Sequence, residues 1–173
     1  YNSIIEQEQF KEWFNGSKVV KDNKPLIVYH GTGSEIDKFK QPSFFTPDKE
    51  SSAWFAYEGN GKAKVIAAIL CIENPIVLET KEDIQNLEKI LNKYNIETNF
   101  LIEREYDQWE FYWDFLEKYA PDGSGSNYKD VIYIPEVREA LIEEGYDGLY
   151  SPYDRLCNGE IPIYVTFFSE QIR

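Results

Sequence analysis

The sequence has no methionine, a single histidine and two cysteines. One imidazole and no CxxC spacing leave too few ligands for a zinc site, and no metal is expected. Cys71 and Cys157 could form one disulfide, but two free thiols are the simpler expectation. Basic residues are scarce, with 18 Lys and Arg against 31 Asp and Glu for a net charge of −13, and no basic run stands out. That balance disfavours a nucleic-acid groove, because phosphate neutralisation supplies most non-specific affinity. A local positive pocket for a small phosphorylated ligand stays open. The longest apolar run, Val65 to Ile72, has eight residues, short of the roughly 18 that a membrane span needs. No secretory leader is read, and the opening Tyr1 suggests a piece of a longer protein.

What is present points to one folded domain. The chain has 173 residues, of which 42% are hydrophobic and 16% aromatic. That length supports a single core, and that composition excludes disorder as the main description. Ser3 to Glu6 reads as a capping box before a first helix with Phe10, Trp13 and Phe14, ending near Asn15-Gly16. Asp22 to Pro25 reads as a turn. Leu26 to Tyr29 is an apolar strand running into His30-Gly31-Thr32-Gly33. Pro42 to Thr46 is extended. Thr46-Pro47-Asp48 then resembles a helix start, for a helix with Ala53, Trp54 and Tyr57 that stops at Gly59.

Val65 to Ile72 is expected to be a central strand, broken at Asn74-Pro75 and resumed over Ile76 to Leu78. Ile84, Leu87, Leu91 and Tyr94 predict an amphipathic helix over 80–94. Tyr106, Trp109, Trp113, Leu116 and Tyr119 predict a second helix over 103–119, whose Trp109–Trp113 face is a core stripe or an acceptor platform. Pro121 to Ser126 is a loop. Pro135 to Glu144 predicts a third helix closed by Gly145. Gly148 to Tyr150 and Ile163 to Phe168 read as the last strands. Helices and strands mix without a βαβ rhythm, which predicts an α+β fold.

His30 is the residue with the most chemical scope. A neutral imidazole at a strand end can hydrogen-bond a ligand hydroxyl, and Gly31 allows close backbone approach. The plainer alternative is a half-buried strand-end histidine without a role. Tyr57 is either a ligand-stacking ring or a helix-face core aromatic. Glu35, Asp37 and Ser34 follow the His30 loop as ribose contacts or solvated loop residues. Arg155 is a phosphate or acceptor contact or an ordinary surface arginine.

Taken in order, Tyr29-His30-Gly31-Thr32, Phe44-Phe45-Thr46, Ala56-Tyr57, Tyr164 to Phe167 and Gln171-Ile172 resemble the ADP-ribosyltransferase superfamily. The branch is the His-Tyr-Glu one, of diphtheria-type toxins and poly(ADP-ribose) polymerases. The text is closer still to transferase-like domains embedded in the large polyvalent proteins of phages and mobile elements. Phe10 to Phe14, Ser17 to Val20, Pro25 to Thr32 and Gly145 to Gly148 carry that resemblance. It covers residues 7–78 and 138–173 of a single domain over 1–173, with a helical insertion at about 79–137.

The resemblance implies a split β-sandwich with an N-terminal helix and with NAD, as substrate, in the cleft. His30 would contact a ribose, the Gly31 backbone the nicotinamide carboxamide, and the Tyr57 ring the nicotinamide itself. Tyr29, Thr32, Ser34, Phe44, Phe45 and Ile163 would line the site. The branch's first triad tyrosine falls on Phe44, with Phe45 as the other register. Its catalytic glutamate falls on Ile163, which leaves Glu160 as the nearest acid. Alternation along a strand would put residues 160 and 163 on opposite faces.

The implied activity is NAD-dependent mono-ADP-ribosyl transfer to an acceptor, a protein or a small molecule rather than nucleic acid. An NAD glycohydrolase and a catalytically inactive binding module are the alternatives. The setting would be cytoplasmic for a phage-encoded chain and secreted or injected for an effector.

Overall fold

The computed structural model describes residues 6–33, 35–57, 63–96, 101–104, 108–111, 130–152 and 161–173. Phe55, Tyr57, Lys81 and residues 101–104 and 108–111 are described by backbone alone. Ser34, the loop 121–126, Arg155, Cys157 and Glu160 lie outside the described residues. The chain is α+β and divides into two compact units, Tyr1–Ile76 with Asp147–Arg173, and Val77–Tyr146.

The first unit opens with helix α1, Glu8–Phe14, which ends before Gly16 at φ +88°, a left-handed value that favours glycine. Strands β1, Val20–Lys21, and β2, Lys24–Pro25, form a hairpin. Its turn residues Asp22 and Asn23 have φ of 52° and 59°, the positive pair of a two-residue I′ turn. Strand β3, Ile27–Thr32, leads to β4, Ser43–Phe45, and then to helix α2, Lys49–Tyr57. The cap of α2 is Asp48 rather than Thr46. Its carboxylate accepts from the Ser51 backbone N–H at 2.8 Å, and that charge-assisted bond outcompetes a hydroxyl.

Strand β5, Lys64–Ile69, pairs antiparallel with β3, with Tyr29 opposite Ala67 and His30 opposite Ile66. The expected strand over 65–72 therefore has two partners in succession. Beyond β5, Leu70 bridges Ile172, and Ile69 and Cys71 bond the backbones of Arg173 and Gln171. Strands β6, Pro75–Val77, β9, Gly148–Ser151, and β10, Ile163–Thr166, join β4 in a sheet of order β4-β10-β9-β6. A bridge between Tyr29 and Thr46 connects β3 to the end of β4. Val19, Val28, Phe45, Ala68, Leu70 and Ile72 form the core of this unit, flanked by Phe39 and Tyr164.

The second unit contains helix α3, Lys81–Lys93, and helix α4, Pro135–Glu143. Thr80 and Asp83 close a capping box at the start of α3, as the 80–94 periodicity predicts. Ile84, Leu87 and Leu91 of α3 and Val137, Ala140 and Leu141 of α4 are buried. Where the sequence predicts a helix over 103–119, the described residues form a hairpin instead: β7, Leu101–Arg104, with β8, Gln108–Phe111. The aromatic spacing explains the error. Trp109 and Trp113 fit a helical i, i+4 pair, but Trp109, Phe111 and Trp113 also alternate with period two, and aromatics favour strands.

Candidate active site

His30 sits near the end of β3, where two elements fix its ring. Its Nδ1 is 2.8 Å from the carbonyl oxygen of Phe44 on β4. A carbonyl can only accept, so Nδ1 carries the proton in that bond and a neutral ring leaves Nε2 as an acceptor. The ring packs edge-on to Phe39 and tilted against Phe45, each with centroids 5.4 Å away. Burial among these rings pushes the imidazole pKa down, opposed in part by the Phe44 carbonyl. The histidine is therefore a neutral hydrogen-bonding group at neutral pH. Phe39 is absent from the sequence argument, since nothing in a loop sequence says which aromatic will fold back on a strand.

Gly31 has a different neighbour from the one its sequence context suggests. A Cβ at this position would lie 1.7 Å from the Ser52 carbonyl oxygen and 3.1 Å from the Ala56 nitrogen of α2. The glycine is required first by the helix crossing the strand. The small residues Ser52 and Ala56 are turned to the sheet, while Trp54 is 77% exposed. This crossing carries Tyr57, the last residue of α2, on the segment packed against the His30-Gly31 strand.

Strand register sorts the remaining candidates onto two faces. Tyr164 stands opposite Phe45 on one side and Tyr150 on the other. With His30 against Phe45, this makes a cross-strand row His30, Phe45, Tyr164, Tyr150. Burial holds the Tyr164 hydroxyl up at about 12, reinforced by Tyr150. Side chains alternate along a strand, so Phe44, Val165 and Ile163 occupy the opposite face. Tyr29 and Gly31 share that second face by their own alternation. Ile163 is 5% exposed and stands opposite Ser151. Phe44 and Phe45, the two registers left open by the sequence, make two different contacts with His30: a carbonyl and a ring. Thr32 closes β3, opposite Lys64.

The late motifs have a structural role that the sequence did not disclose. Gln171 is 7% exposed, and its side-chain oxygen accepts from the Phe167 and Phe168 N–H groups at 3.1 and 2.9 Å. Its amide nitrogen donates to the Cys71 and Asp147 carbonyls at 3.0 and 2.8 Å. The Asp147 carboxylate in turn accepts from the Glu73 and Asn74 backbones, both at 2.8 Å. Asp147-Gly148 and Gln171-Ile172 therefore share one hydrogen-bonded clasp around the end of β5. Gly148 belongs to it sterically, since a Cβ there would lie 2.7 Å from the Val165 carbonyl oxygen. Among the described residues, no group of three or more His, Cys, Asp or Glu side chains is arranged to hold a metal.

The mixed helices and sheets are those of an α+β fold of the ADP-ribosyltransferase kind. The chain belongs to the family described as ADP-ribosyltransferase in polyvalent proteins, whose profile matches residues 21–173. No curated protein and no solved structure matches it.

Proposed function

We propose that this domain transfers a single ADP-ribose unit from NAD to a protein acceptor. In that reaction the bond between the ribose C1′ and the nicotinamide nitrogen breaks, and nicotinamide leaves with the bonding pair. The acceptor nucleophile then bonds to C1′ and gives up its proton. The observation that carries the reading is His30. Its Nδ1 is committed to the Phe44 carbonyl, and its Nε2 has no partner among the described residues. A fixed, neutral acceptor suits a ribose hydroxyl, and holding it in place costs no reorganisation at the moment of reaction. In this reading the Gly31 backbone holds the carboxamide and the Tyr57 ring stacks on nicotinamide. Thr32 and Phe45, on the His30 face, contribute to the walls, together with Ser34, whereas Tyr29, Phe44 and Ile163 stand on the other face and are not among them.

The carboxylate that steadies the developing positive charge is Glu160. Ile163 is apolar, buried and on the face of β10 opposite to His30. Even-numbered positions of β10 share the His30 face. Nicotinamide release from NAD tests the reading, with and without cell lysate. Release that requires lysate and is lost in Glu160→Gln supports transfer. Release in buffer alone makes the domain a glycohydrolase. Release only from Ile163→Glu makes it a binding module whose glutamate is missing.

A further inference from the structure

Helix α1 and the β1–β2 hairpin line an open groove of about 400 Å³. That is the size of a small-molecule pocket. One wall is aromatic: Phe10 and Phe14 stack with centroids 5.6 Å apart and planes 11° from parallel. Phe10 is buried and Phe14 half-buried. Asn15 and Asn23 add side-chain amides that make no hydrogen bond among the described residues. Such amides offer both donors and acceptors.

Cationic groups line this groove, and the Glu73 carboxylate lies against Gly16, another of its lining residues. Lys11 lines it but is held by Glu8 at 2.7 Å. Lys24 also lines it and has no carboxylate partner among the described residues. Directly opposite Lys24 across the hairpin stands Lys21, which has none among them either. Like charges facing each other on paired strands destabilise the pair. The two-residue turn at Asp22-Asn23 nevertheless forces them together. In a chain of net charge −13, this facing lysine pair, of which Lys24 lines the groove, is an arrangement that an anion would relieve.

We propose that this groove binds a nucleoside monophosphate, with the base stacked on Phe14, its edge met by Asn15 and Asn23, and the phosphate between Lys24 and Lys21. The site is separate from the His30 strand and does not rest on the proposed transferase activity. Calorimetric titration with adenosine monophosphate tests it. Lys24→Glu and Lys21→Glu change exposed hairpin positions and should each weaken binding by about tenfold or more, since each removes a charge-assisted phosphate contact. Phe14→Leu should weaken it while keeping the apolar wall. His30→Ala should leave it unchanged. Adenosine and inorganic phosphate should each bind more weakly than the monophosphate. Absence of binding at millimolar monophosphate overturns the proposal. So does binding that survives both lysine reversals but disappears in His30→Ala, or phosphate binding as tight as that of the nucleotide.

Discussion

The Nδ1 of His30 is hydrogen-bonded at 2.8 Å to the carbonyl oxygen of Phe44. This bond ties the chemically adaptable end of β3 to the strand that follows it and fixes which ring nitrogen faces outward. Burial lowers the imidazole pKa from 6.5, so the unfolded chain takes up the proton first as the medium is acidified. Stability supplied by the neutral ring is complete above the unfolded value and is lost as pH falls through the folded one. Thermal midpoints should therefore decline as the pH falls below the unfolded value of 6.5, and His30→Phe should flatten that part of the profile. An unchanged slope in the variant would remove His30 as its source.

Gly31→Ala should destabilise the domain. The added methyl would fall 1.7 Å from the Ser52 carbonyl oxygen, which is helix backbone and has no rotamer to change. The helix must move off the strand, at a cost of about 2 kcal/mol or more. Urea midpoints measure it. Full stability of the Gly31→Ala variant would contradict the helix-strand contact.

Gln171→Leu removes five hydrogen bonds and leaves the buried Phe167 and part-buried Phe168 N–H groups without that acceptor. The expected loss is about 3 kcal/mol, since unmet buried polar groups cost more than a made bond returns. Denaturant unfolding measures it. Nicotinamide release under folding conditions should persist, because the clasp holds the fold and not the substrate.

Ile163→Glu should not raise the rate of nicotinamide release. The side chain is nearly sealed from water, so an ionised carboxylate there is disfavoured and the variant should melt lower by the equivalent of about 2 kcal/mol. Glu160→Gln should abolish release without changing the melting point. A gain of activity in the first variant, or full activity in the second, would transfer the carboxylate's role away from Glu160.

Local rules made much of this fold legible. Thr80 and Asp83 announce the start of α3, and Ile84, Leu87 and Leu91 its buried stripe, because capping and 3.6-residue periodicity are short-range. Gly16 and Gly145 mark helix ends by their positive φ. The motif order was enough to recognise the transferase family. The aromatic run around Trp109 satisfies two periodicities, and only pairing with Leu101–Arg104 chooses the strand.

By itself the sequence determined the element types wherever one period dominated, the acidic surface, the scarcity of metal ligands and the identity of the histidine. Tertiary structure decided what those residues do together. It set Phe39 and Phe45 against His30 and turned Gly31 under α2. It also made Gln171 a clasp. The physical reason is range. Capping, periodicity and tight turns act over a turn or two, whereas a strand's face and a buried amide's partners are fixed by register between segments that meet only in the folded chain.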